Sequence, residues 1–140
     1  MANIYNAALM EHNTHPDYKY ELENYTHSQD GINPSCGDEL NLKLIIDDGI
    51  IKEAAYTGHG CAVSQASADI MAQLIEGKSV AQAQHALNLF VRMIQGEELS
   101  SEEQELLDEA FELQGISKMP ARVKCAELAW RTLEHILNEL

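Results

Sequence analysis

Leu40-Asn41-Leu42-Lys43-Leu44-Ile45-Ile46-Asp47-Asp48-Gly49-Ile50-Ile51-Lys52-Glu53-Ala54-Ala55-Tyr56-Thr57 is the stretch from which the fold can be worked out. Leu40, Leu42, Leu44 and Ile46 alternate with Asn41, Lys43 and Ile45, the period of a strand with one buried face. Asp47-Asp48-Gly49 supplies a turn, because Gly49 can take a positive φ. Residues 50–57 then read as the return strand, with β-branched and aromatic residues at both ends. The expected unit is an antiparallel hairpin.

Downstream, Gly58-His59-Gly60-Cys61 forms a flexible elbow into a helix. Its small residues Ala62, Ser64, Ala66, Ser67 and Ala68 allow close packing, and Ile70, Met71, Leu74 and Ile75 carry an apolar stripe as far as Gly77. Ser79 caps a further helix in which Val80, Ala83, Leu87, Phe90, Val91 and Ile94 recur three and four apart, closed by Gly96. His85 on that helix reads as a surface or packed histidine. Ser101 and Gln104 form the pattern of a capping box ahead of a short acidic helix that ends at Gly115. Pro120 suits the first turn of a last helix whose stripe is Ala126, Ala129, Trp130, Leu133 and Leu137.

Upstream, residues 2–10 have Ile4, Ala7, Ala8 and Leu9 at helical spacing, and Pro16 helps end that helix. Residues 17–33 are polar and dotted with Tyr18, Tyr20, Leu22, Tyr25 and Ile32, which can pack as an edge strand. His12, His15 and His27 match no metal-ligand spacing and read as exposed. The chain is therefore expected to be one α+β domain, a small antiparallel sheet of about three strands with helices packed on one side.

The 140 residues carry 9 Lys+Arg against 23 Asp+Glu, a formal charge of -14. That balance argues against a general nucleic-acid or anionic-membrane binder, since both need positive surface. No apolar run approaches the roughly 20 residues of a membrane span, and the first residues lack a secretory signal's basic flank and apolar core. A cytoplasmic protein is the expectation. The charge is uneven: residues 97–112 hold eight acids and no base, either a solvated face or a surface for a partner. Four of the nine bases fall in residues 118–131, beside Cys125.

The cysteines, Cys36, Cys61 and Cys125, are odd in number and widely spaced, which fits neither a disulfide scaffold nor a CxxC motif. They could be three small buried hydrophobes. Each, however, stands at an element boundary in suggestive company. Cys36 lies in Asn33-Pro34-Ser35-Cys36-Gly37-Asp38, directly before the first hairpin strand. Cys61 starts a helix, where backbone donors favour a thiolate, and Cys125 neighbours Arg122 and Lys124, whose charges would lower a thiol pKa. Three thiolates leave zinc one ligand short. Asp38, two residues beyond Cys36, can face the same side in an extended loop and complete a Cys₃Asp set, unless it is merely a turn or cap residue.

Asn33-Pro34-Ser35-Cys36-Gly37-Asp38, then residues 58–67 (GHGCAVSQAS), then Arg122-Val123-Lys124-Cys125-Ala126 resemble, in order and spacing, the three signature blocks of the iron–sulfur cluster assembly family that comprises IscU, SufU and the NifU N-terminal domain. The resemblance spans nearly the whole chain. It is nearest to the SufU branch: Lys124 stands where the scaffold branch typically has a histidine, and the acidic stretch at about 96–115 resembles the SufU insertion. Met119-Pro120-Ala121-Arg122 and Leu128-Ala129-Trp130 are similar to that branch too, whereas residues 18–27 and Ile32 depart from the family's pattern.

The resemblance implies a single domain over residues 1–140 and zinc held by Cys36, Asp38, Cys61 and Cys125. It also implies a SufS-type, pyridoxal-phosphate-dependent cysteine desulfurase as partner. That partner would take a zinc coordination position with a histidine and release Cys36, which would accept the persulfide's outer sulfur and relay it to a downstream scaffold or apo-protein. Arg122 and Lys124 would support the thiolate or hold the partner, or be plain surface charge. Two other readings stay open: a scaffold on which an iron–sulfur cluster is built, since thiolates suit iron as well, and a zinc-stabilised binding module without chemistry.

Overall fold

A computed structural model describes residues 6–140, so the expected helical residues Ala2 to Tyr5, Ile4 among them, lie outside the described residues. Helix α1 is Ala7–Thr14, followed by strands β1 (His27–Asn33), β2 (Asp38–Asp47) and β3 (Ile50–His59). Helices α2 (Ala62–Ile75), α3 (Val80–Ile94) and α4 (Ser101–Leu107) come next, then a 3-10 stretch (Asp108–Lys118) and α5 (Pro120–Asn138).

The strands form one antiparallel sheet in the order β1-β2-β3. Asp47 pairs with Ile50, which leaves a two-residue loop of Asp48 (φ 53) and Gly49 (φ 74). Both central residues are left-handed, the requirement of the turn whose twist matches a hairpin. Leu40, Leu42 and Leu44 are buried as expected, against α2 and α5 on one side of the sheet. The free edge of β3 is covered by the segment before β1, where the Tyr56 N–H donates to the Tyr18 carbonyl (3.0 Å). The strand expected somewhere in residues 17–33 occupies only the last 7 residues, and Ile32, expected to pack, is 64% exposed. Its side chain alternates outward from β1 beside a buried Asn33.

Helix α2 is buried on nearly every side, including Gln65, Ser67 and Asp69, so it is the central helix rather than a one-sided amphipathic one. Small residues permit this. Ser67 Oγ donates to the Ala126 carbonyl of α5 (2.7 Å) and accepts from Trp130 Nε1–H (3.0 Å). Trp130 in turn stacks on Phe90 of α3, ring centres 4.1 Å apart. This contact fixes α5 against α2 and so sets where Cys125 stands.

The Ser79 cap is present as a full capping box with Gln82. The box ahead of α4 is one residue earlier than expected, Ser100 with Glu103, because Glu103 rather than Gln104 reaches back to the cap N–H. The acidic stretch is also less free than its charge suggests. Glu103 pairs with Arg92 (3.1 Å), and Glu109 meets His12.

That last contact overturns the expectation that His12 is exposed: it is 7% exposed. Its Nδ1 lies 2.7 Å from Asp69 Oδ2 and its Nε2 2.5 Å from Glu109 Oε2. The helix continues past Met10 to Thr14, which carries His12 over α2 and under the 3-10 stretch. Burial opposes a charged imidazolium, but the hydrogen bonds to Asp69 and Glu109 outweigh it and raise the His12 pKa. A group whose pKa is raised on folding contributes stability fully below its unfolded value, about 6.5, and loses it as pH climbs through the raised one. We therefore expect His12→Gln to lower the melting temperature more at pH 6 than at pH 9. Equal losses at the two pH values would contradict this charged pairing.

Candidate metal centre

Three elements converge on one point. The turn between β1 and β2 carries Cys36, and the first residue of β2 is Asp38. Cys61 is the N-cap of α2, and Cys125 lies in the second turn of α5. One ligand atom each from Cys36, Asp38 and Cys125 lies within 4.8 Å of the other two. The Cys125 thiol donates toward Cys36 Sγ across 3.2 Å. Cys61 joins through its backbone: its N–H donates to Asp38 Oδ1 (2.9 Å), which sets the start of α2 beside the cluster. The four residues proposed from spacing are thus neighbours, three in a tight cluster and Cys61 at its border.

Asp38 is wholly buried, and both carboxylate oxygens have partners. Oδ1 accepts from the N–H of Cys61, and Oδ2 accepts from the side-chain amide of Asn33 (3.2 Å). The carboxylate therefore ties the hairpin to the residue that starts α2, beside its place in the cluster. Gly60 makes room for it. A Cβ at Gly60 would stand 2.3 Å from Asp38 Oδ1 and 2.6 Å from Ser64 Oγ. Because Asp38 is short and pinned at both oxygens, Gly60→Ala should cost about 1–3 kcal/mol, the usual scale of overpacking, and weaken metal retention. Chemical denaturation with and without added zinc checks both; an unchanged midpoint would show that the carboxylate can move aside.

The expectation that Arg122 and Lys124 lower the Cys125 pKa is reversed. Cys125 is completely buried, and burial pushes its thiol well up. The hydrogen bond with Cys36, the neighbouring Cys61 and the negative charge of Asp38 push it further. Lys124 is exposed, and adjacent helical residues project about 100° apart, so chain proximity to Cys125 does not become spatial proximity of the charges. Lys124 and Arg131 instead line a shallow groove with Ile32, Pro34 and Leu128 beside the Cys36 turn.

Such a donor set suits a thiophilic cation. Tetrahedral zinc with sulfur at about 2.3 Å and oxygen at about 2.0 Å sets its ligands roughly 3.5–3.8 Å apart; the Cys36 and Cys125 sulfurs stand 3.2 Å apart, and no pair of ligand atoms among the three residues exceeds 4.8 Å. A nearby cation also supplies what the buried thiols lack, the positive charge that makes a coordinating thiol a thiolate. Sequence reasoning did not assign two contributors: Asn33, although it is the residue opposite Asp38 across the four-residue turn, and Gly60, read only as a hinge.

Comparison with known proteins gives the family. The family model described as the NifU-like N terminal domain matches residues 4–138. A relative from Bacillus subtilis, named zinc-dependent sulfurtransferase SufU, is 39% identical over 94% of this chain and 87% of its own length. The iron-sulfur cluster assembly scaffold protein IscU of Thermotoga maritima is 34% identical over 98% of this chain and 94% of its own. The crystal structure of a putative iron-sulfur cluster assembly scaffold protein for the SUF system from Fervidobacterium islandicum AW-1 superposes with a TM-score of 0.89 at 33% identity, covering 96% of each chain. With a matching family model over almost its full length and relatives of this identity, the chain belongs to the NifU-like N-terminal-domain family, that of the SufU and IscU proteins of iron–sulfur cluster assembly.

Proposed function

We propose that this protein is a zinc-dependent sulfur acceptor that takes persulfide sulfur from a SufS-type cysteine desulfurase and relays it for iron–sulfur cluster assembly. The observation that carries the reading is the meeting of Cys36, Asp38 and Cys125 within 4.8 Å, with the Cys61 N–H bonded to Asp38 Oδ1. Cys36, Asp38, Cys61 and Cys125 would hold the zinc. When bound, the metal keeps the sulfurs as thiolates and guards them against disulfide formation.

The residues divide the work by burial and by position, since Cys36 and Cys61 are both partly exposed and only Cys125 is buried. Cys125, with no exposed surface, and Cys61, fixed at the head of α2, are anchors. Cys36 sits partly exposed on a turn of four residues, the place from which a thiolate can swing to a partner. Its sulfur attacks the outer sulfur of the desulfurase persulfide. The new S–S bond forms on Cys36 as the donor's S–S bond breaks, and the electron pair leaves on the donor cysteine as thiolate. The carboxylate of Asp38 would be a harder ligand than sulfur, and its hydrogen bonds to Asn33 and Cys61 hold its orientation independently of Cys36. The groove lined by Ile32, Pro34, Lys124, Glu127 and Leu128 would give the desulfurase a mixed apolar and charged seat next to that turn, with Arg122, three residues before Cys125, as a supporting charge.

We further take residues 1–140 as a single domain in which about 96–115 is an inserted acidic segment, working in the cytoplasm. Among the described residues no helix is long and apolar enough to cross a membrane. The scaffold reading draws on the IscU-named relatives, against which stands Lys124, a poor cluster ligand. The test is anaerobic purification, zinc and iron analysis, and incubation with a SufS-type desulfurase and L-cysteine. The transfer reading expects bound zinc, faster desulfurase turnover and one added sulfur mapped to Cys36. A stable cluster that passes to an apo-protein, with no sulfur on Cys36, would replace it by the scaffold; zinc without either would leave a binding module.

A further inference from the structure

Asn33 touches every member of the tight cluster. It is the last residue of β1, paired in register with Asp38, and the side chains of opposed residues on an antiparallel pair share a face. Its side-chain nitrogen carries two N–H groups. One donates to Asp38 Oδ2 (3.2 Å) and the other points to Cys125 Sγ (3.6 Å). Its backbone carbonyl accepts the N–H of Cys36 (3.2 Å), closing the turn. The residue is 6% exposed, so these bonds are made out of water's reach. Turned the other way, the amide would set its own oxygen against a carboxylate and a sulfur, so the partners dictate its orientation.

We propose that Asn33 is a positioning residue of the metal centre, which holds Asp38 and Cys125 as permanent ligands and so leaves Cys36 as the one that departs. The proposal rests on the zinc reading above. The mechanism is electrostatic and geometric. An N–H directed at a ligand sulfur stabilises its lone pairs and makes that thiolate a poorer nucleophile. The bond to Oδ2, with the Cys61 N–H on Oδ1, fixes the carboxylate plane and leaves each oxygen a free lone pair for the metal. Cys125 is thereby restrained as an anchor. Such outer partners of metal ligands commonly govern affinity by 10- to 100-fold.

Asn33→Ala removes both donors, and Asn33→Asp keeps the shape while replacing donors by acceptors. Each variant is loaded with cobalt(II) as a spectroscopic probe and, separately, with zinc. The expected results are a red shift of the sulfur-to-cobalt charge-transfer band, as the Cys125 lone pair loses its N–H. Zinc release to a chromophoric chelator should be about 10- to 100-fold faster, with Asp at least as severe as Ala. Asn33→Ser, which retains one donor, should fall between wild type and alanine. A purely structural role would move the melting temperature without moving the band, and that result overturns the proposal. So does an unchanged band and release rate in folded Asn33→Asp. If wild type itself takes up neither cobalt nor zinc, or if Cys125→Ala binds them as wild type does, the metal reading fails instead, which separates the two failures.

Discussion

Cys36→Ala is expected to accept no sulfur. With a desulfurase and L-cysteine present, intact-mass and peptide-mass analysis should find loading reduced by about a hundredfold or more, the scale on which loss of a nucleophile is felt. Neither neighbouring thiol is expected to substitute, although Cys61 is partly exposed as Cys36 is. Cys125 is wholly buried and bonded to Asn33, and Cys61 is bound into the start of α2 through its own backbone, its N–H on Asp38. The fold should survive, because Cys36 lies on a turn, only partly buried at the margin of the core. Melting of the metal-free variant should therefore match that of metal-free wild type, while the zinc-dependent rise in melting temperature shrinks with the lost ligand. Sulfur loading of Cys36→Ala at the wild-type rate would refute Cys36 as the acceptor. A large loss of stability with no loading even in wild type would instead point to a structural zinc.

Trp130→Ala should be the most damaging single change to the fold, costing about 3–5 kcal/mol. The ring is fully buried, stacks on Phe90 across 4.1 Å, and donates through Nε1 to Ser67. Its loss opens a void where α2, α3 and α5 meet. For a chain of this size the drop in melting temperature is on the order of 10 °C or more. The damage should reach the metal centre as well, since the same contact holds α5, and with it Cys125, in place against α2. Trp130→Phe keeps an aromatic partner for Phe90 and loses only the N–H, so about 1 kcal/mol is expected. Urea titrations of both variants decide the matter; a loss under about 1 kcal/mol for Trp130→Ala would show that the helices are held by something else.

Much of the fold follows from short-range patterns. Alternation in residues 40–46 and the Asp-Asp-Gly turn define the hairpin, and three- and four-residue spacing defines α3 and α5, because these periods are properties of the backbone itself. The capping box at Ser100 was missed by one position for a related reason. Ser100 and Ser101 both satisfy the local pattern, and only the three-dimensional start of α4 chooses between them. His12 shows the same limit over a longer distance. Nothing near it in sequence foretells Asp69, 57 residues away, or Glu109, 97 away.

The metal centre divides along that line. Residue types and boundary positions suffice to nominate Cys36, Asp38, Cys61 and Cys125, because thiolate and carboxylate chemistry and the glycine-rich turns are written locally. Whether such residues meet depends on packing. The stacking of Trp130 on Phe90 and the Ser67–Ala126 contact set α5 against α2 and bring Cys125 to within 3.2 Å of Cys36 across 89 residues of chain. Packing also decided against the sequence on one count: positive neighbours along the chain suggested an acidic Cys125 thiol, yet burial, a property of the assembled core, raises its pKa. Asn33 belongs wholly to that second category. Its role exists only because the sheet register sets it opposite Asp38 and α5 delivers a sulfur to its other N–H.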